Sequence, residues 1–156
     1  STFPAMWDVE NPFSQVSGSA ATYFTLPLPL HPVLALRGGG KKVWGDAPFH
    51  EAAFLGGLDT LMGAPPQRYA GDASLFGNSE LRVPIVSLRT WLPIDIGALG
   101  FADAGRVYLD GDSPGGWHTV VGGGVWFGVI NPATGFSVMF TNSRDKRVVL
   151  GTGLRF

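Results

Sequence analysis

The chain has 156 residues, with 12 acidic and 11 basic side chains and a formal net charge of −1, so no basic surface or acidic tail marks it for nucleic acid. Glycine (23) and proline (12) are too frequent for a protein of long helices, and 45% hydrophobic content is too high for a disordered chain. Cysteine is absent, which excludes disulfide scaffolds, thiol catalysis and cysteine zinc sites.

The opening Ser1-Thr2-Phe3-Pro4 has neither the basic region nor the apolar core of a signal peptide. Such a start suits a mature chain, a cytosolic one, or one cut from something longer. From there the dominant pattern is alternation of apolar and polar residues between turn signals, which predicts eight strands. The first, about Thr2 to Val9, is short and carries Pro4. The second runs about Ser17 to Leu28 and is followed by Pro29 and Pro32. The third, about Val33 to Trp44, sets Leu34 and Leu36 against Arg37, Gly39 and Lys41. A long irregular segment, residues 45–72, follows, with room for a short helix around His50 to Leu58; loops of this length usually serve function.

The fourth strand, about Ala73 to Ile85, sets Leu75, Leu81, Val83 and Ile85 against Phe76, Asn78, Glu80 and Arg82. The fifth, about Ile94 to Leu109, ends in the turn-rich Asp110 to Gly116. The sixth spans about Trp117 to Ile130, the seventh about Gly135 to Thr141, and the eighth about Arg147 to Phe156. Residues 113–143 carry no Asp, Glu, Lys or Arg, but Pro114 and Pro132 would break a helix there, so the stretch reads as two uncharged strands joined at Asn131-Pro132-Ala133-Thr134.

Two features predict that the apolar faces point outward, to lipid. The other faces carry a sparse set of opposite charges, Arg37, Lys41, Glu80, Arg82, Asp103 and Arg155, which would form a polar network in a lumen. Aromatic residues (Trp44, Trp91, Tyr108, Trp117 and Phe156) sit near strand ends, where membrane barrels place their girdles. A spanning strand takes about 9–11 residues, so eight use roughly half of the chain, and sixteen would exceed it. The expected fold is therefore all-β: one antiparallel up-and-down transmembrane β-barrel of eight strands over residues 1–156. Its lumen would be filled by polar side chains, with residues 45–72 as a long external loop and both termini on the periplasmic side.

Four segments then resemble the bacterial surface antigen superfamily, the outer-membrane assembly family typified by BamA. Phe54-Leu55-Gly56-Gly57 with Leu61-Met62-Gly63 resembles the family's inward-folding loop. Residues 71–82 resemble the strand after it, and Phe101-Ala102-Asp103-Ala104-Gly105 is similar to the F-x-D-x-G strand motif. Gly151, Leu154 and Phe156 resemble the C-terminal signal read by the assembly machinery. The resemblance covers about Phe54 to Phe156 and implies the last eight strands of a sixteen-stranded member, in the bacterial outer membrane. It implies assistance in outer-membrane protein insertion through a weak seam between first and last strands. The alternative is a membrane anchor or translocation barrel of a larger protein, such as one with a patatin-like phospholipase domain, in which two copies could pair as a homodimer.

The sequence departs from the family at Met62, where the family has an arginine that would pair with Asp103. Asp103 then needs another partner, and Arg37, Arg82 and Arg155 are the candidates. The chain also lacks room for the POTRA domains that receive clients. No catalytic set stands out. There is no G-x-S-x-G elbow. Gly38-Gly39-Gly40-Lys41 lacks the spacing of a phosphate loop. His31, His50 and His118 are far apart in sequence. The expectation is a domain without catalysis, metal or cofactor, whose partners are the lipid bilayer and client outer-membrane proteins or the assembly machinery.

Overall fold

The structure is a computed structural model that describes residues 2–3, 13–45, 48–89, 91–110, 112–113, 115–129, 131–142 and 147–152. Its strands are β1 (Thr2–Phe3), β2 (Phe13–Thr25), β3 (Val33–Trp44), β4 (Ala73–Arg89), β5 (Pro93–Tyr108), β6 (His118–Val129), β7 (Asn131–Asn142) and β8 (Arg147–Thr152). They pair in chain order, each antiparallel to the next. The fold is thus an all-β, antiparallel, up-and-down sheet. Seven of its members are substantial strands, whereas β1 contributes two residues, opposite Ser14 and Phe13. Among the described residues no pair joins β8 to β1 or β2, so the sheet is not closed.

Alternation forms these strands because successive side chains point to opposite faces. In β4, Ser74, Asn78, Glu80 and Arg82 are buried, while Leu75 and Leu81 between them are exposed. In β5, Leu99, Phe101, Asp103 and Val107 are buried, and the interleaved positions are small or half-buried. Pro84 is accommodated inside β4 because the register shifts there, between Pro84 and Val86. A bulge of this kind is where a residue without an N–H does least harm to a ladder.

Several sequence expectations change. Of the predicted first strand, Thr2 to Val9, Thr2 and Phe3 pair with β2, and Pro4 to Val9 lie outside the described residues. Thr2 sits beside Ser14, at the end of the sheet where β3 and β4 open into the long loop. Thr152 sits beside Phe136, at the other end. The described ends of the chain are therefore on opposite sides of the sheet, not the same one. The segment predicted as a turn, Asn131 to Thr134, belongs to β7, with a register shift at Gly128/Val129 absorbing the reversal. In place of a helix at His50 to Leu58 there is one 3₁₀ turn, Phe49–Glu51. Pro48 supplies the carbonyl bonded by the Glu51 N–H, and the chain is extended again by Ala52.

The loop between β3 and β4 folds back onto one face of the sheet, here the inner face. Leu55, Leu61 and Met62 are fully buried there against Leu99 and Phe101 of β5, Val120 of β6 and Met139 of β7. The interior is therefore not the purely polar plug the sequence suggests. It also holds an apolar cluster, to which the loop adds Leu55, Leu61 and Met62 and the strands add Leu99, Phe101, Val107, Val120 and Met139; Leu55 and Leu61 lie outside the named strands and show no alternation. The outer face carries exposed Leu36, Leu75, Leu81, Val121, Val125, Phe136, Phe140, Val148 and Leu150.

Candidate functional site

The loop is held by a buried latch. Asp103, on the inner face of β5 and 2% exposed, accepts a hydrogen bond from the Met62 main-chain N–H at 2.8 Å and another from the Asn78 amide at 2.9 Å. The same Asn78 amide group donates to the Thr60 carbonyl at 2.7 Å. Asn78 and Asp103 are direct partners across the β4–β5 ladder, so the two strands and the loop tip share one polar centre. The tip itself is tied by Thr60: its hydroxyl accepts from the Gly56 N–H at 2.8 Å and donates to the Gly56 carbonyl at 3.1 Å. Bonds to an ionised acceptor in a low-dielectric site are stronger than neutral ones.

Among the described residues Asp103 is served by a main-chain N–H and an amide, while Arg37 and Arg82 are engaged elsewhere and the third candidate, Arg155, lies outside them. At position 62 the side chain is apolar and packs in the core, while the main chain of the same residue makes the bond. Arg82 is engaged elsewhere, in a buried ion pair with Glu80 through its Nε. Arg37 donates to the Asp59 carbonyl at 3.2 Å and lies 5.3 Å from the centre of the Phe76 ring. Lys41 reaches Glu51 at 3.7 Å. The anticipated single network is thus three groupings: Asp103 with Asn78 and the loop, Glu80 with Arg82, and two cations of β3 that tether the loop's flanks. Arg155, Leu154 and Phe156 lie outside the described residues, and Gly151 sits on β8 opposite Ser137.

The remaining motif residues are spacers for the loop. Gly105, on the inner face of β5, lies under the Leu55 side chain, where an added Cβ would stand 2.7 Å from it. Gly56 and Gly57 both have positive φ, 129° and 91°, and start the tight tip. Gly63 has φ of 86° and faces Thr141 of β7, with an added Cβ 2.7 Å from its methyl and hydroxyl. Phe101 is buried in the cluster. A Gly63→Ala variant should cost about 2–4 kcal/mol, combining left-handed strain with overpacking against buried Thr141. Thr141→Gly added to Gly63→Ala should restore only the packing part, and chemical denaturation of the two single variants and the double checks both statements.

Sequence reasoning missed three contributors. Asn78 shows in the alternation as an inner residue, but only the register sets it against Asp103. Thr60 gave no signal. Tyr69 stacks on His118, ring centres 3.7 Å apart and 13° from parallel, which fixes the far flank of the loop to β6. His118 is therefore half-buried under a ring rather than solvated, while His31 and His50 are exposed. Among the described residues no three His, Asp or Glu side chains gather as a metal site. Chemically, this site holds a loop in place; it presents no nucleophile beside a base. No family model, curated protein or solved structure matches the chain.

Proposed function

We propose that this chain is part of the wall of a bacterial outer-membrane β-barrel of the BamA-like type, and that it assists insertion of other outer-membrane proteins by lending a sheet edge to an incoming strand. The observation that supports this reading is the inversion of the two faces. Arg37, Lys41, Glu80, Arg82 and Asp103 lie on the face that holds the loop, whereas the opposite face exposes leucine, valine and phenylalanine on β3, β4, β6, β7 and β8. In water such a patch would be an association liability, and against lipid it costs nothing. Strands β2 to β7 have 12 to 17 residues, enough to span at about 9–11. Trp44, Tyr108 and Trp117 lie at the loop end and Trp91 at the other, as interfacial girdles would.

The edge of β8 carries the function in this reading. An exposed edge offers unpaired N–H and C=O groups, and an extended client segment gains main-chain bonds by joining it. The test is insertion of a client barrel protein into vesicles that hold this chain. Neighbouring strand residues direct their N–H groups to opposite sides. Of Val149→Pro and Leu150→Pro, one variant therefore keeps the β7 ladder whole and removes only an edge donor. If that variant folds and client insertion is undiminished, the edge role is wrong. The membrane reading has its own check: Val125→Arg on the outer face should cost about 2–4 kcal/mol of folding stability in vesicles. A chain that is monodisperse without detergent, or indifferent to this arginine, would overturn it.

A second reading, a barrel belonging to a larger protein as its anchor or translocation unit, is favoured by strand direction. β2 and β8 both run away from the loop end, so joining them directly would make a parallel seam. An antiparallel ring would need an ascending strand beside Gln15 to Thr25, in line with β1, whose register is Thr2↔Ser14. A second copy inserted in the same sense meets β2 with β8 and repeats the parallel seam. This reading expects heat-modifiable gel migration only when further strands are supplied ahead of Thr2.

A further inference from the structure

The inner face holds a cavity of about 210 Å³ that the latch does not use. It lies between the loop tip and the strands from β4 to β8, walled by Met62, Leu99, Trp126 and Met139, with Asp59, Glu80 and Arg82 as its charged members. Arg82 is 8% exposed. Its Nε is bonded to Glu80, but its Nη2 is buried and has no hydrogen-bond partner. A buried donor left unsatisfied is costly, and a natural structure that keeps one next to a cavity leaves a reason for it to be filled.

We propose that this cavity binds a small neutral molecule with one hydrogen-bond-accepting oxygen and an apolar body slightly larger than benzene, the oxygen seated on Arg82 Nη2. Size comes from the volume: an apolar cavity of about 150 Å³ takes up benzene, so this one has room for a few further atoms. Polarity comes from the lining, in which two unsatisfied donors, Arg82 Nη2 and the Trp126 indole N–H, stand among apolar and aromatic walls, and the charged one is the stronger donor. Neutrality follows from Glu80. The Arg82 charge is already compensated, and an anion would have to sit beside a buried carboxylate in a medium of low dielectric.

Acetophenone, ethylbenzene and benzoate separate these requirements, since they share a ring and differ in the acceptor and the charge. The ligands are titrated into the 156-residue chain under conditions where its amide spectrum is dispersed, and the Trp126 indole signals are followed after assignment with Trp126→Phe. Acetophenone should shift them saturably and bind roughly tenfold tighter than ethylbenzene, the worth of one hydrogen bond to a charged donor. In the double variant Glu80→Leu with Arg82→Met, which removes donor and carboxylate together, that preference should vanish. Three results would each overturn the proposal: equal binding of ethylbenzene and acetophenone, tighter binding of benzoate, or no saturable shift, which would leave the cavity to solvent.

Discussion

Asp103→Ala should free the loop from the inner face while the sheet persists. The substitution leaves the Met62 N–H and one Asn78 N–H buried without an acceptor. At about 1–3 kcal/mol for each orphaned donor, the loss is roughly 2–6 kcal/mol. It falls on the docking of the loop first, because local opening takes the least stable unit. Arg68 lies in the loop and is exposed, so trypsin cleavage after it reports opening. Cleavage should accelerate at least tenfold in Asp103→Ala, with strand content unchanged by circular dichroism. Asp103→Asn should fall between the two, since its amide keeps one acceptor and turns a donor toward a donor. An Asp103→Ala protein cut no faster than the parent would show that the apolar contacts of Leu55, Leu61 and Met62 hold the loop unaided.

The second large effect concerns Glu80 and Arg82. Their side chains are 4% and 9% exposed, and they lie on the same face of β4, two residues apart. Arg82→Met alone strands a buried carboxylate and should cost about 3–5 kcal/mol. Replacing both, Glu80→Leu with Arg82→Met, should be close to neutral, because two desolvation penalties disappear with the one attraction. The comparison is made by the midpoint of chemical denaturation of the folded chain. A single variant as stable as the double would mean that water reaches Glu80 and that the pair is not dry.

Much of the sheet is legible in the sequence. The predicted third strand, Val33 to Trp44, coincides with β3, and the inner and outer residues assigned to β4 are those observed. Both are regular alternations bounded by turn residues, and a one-residue slip would turn every side chain to the wrong face. The first strand is the least legible for the opposite reason, being short, weakly alternating and interrupted by Pro4; Thr2 and Phe3 do pair with β2, and the rest lies outside the described residues. At the seventh strand, Asn131-Pro132 carried a genuine turn signal that the ladder overrode by shifting register.

For the site, Gly56, Gly57, Met62, Gly63, Phe101, Asp103 and Gly105 were singled out by the resemblance their short motifs carry, whereas the separation of charged from apolar faces came from residue type and local spacing. The sequence left open what Asp103 touches. The bond from Met62 joins residues 41 apart, and that from Asn78 residues 25 apart. Main-chain donors are alike at every residue, so no side-chain pattern announces which N–H will answer a buried carboxylate. Only the tertiary structure decided that, along with the loop's apolar contribution to the interior and the shared direction of β2 and β8, since each follows from strand register and docking rather than from neighbours in the chain.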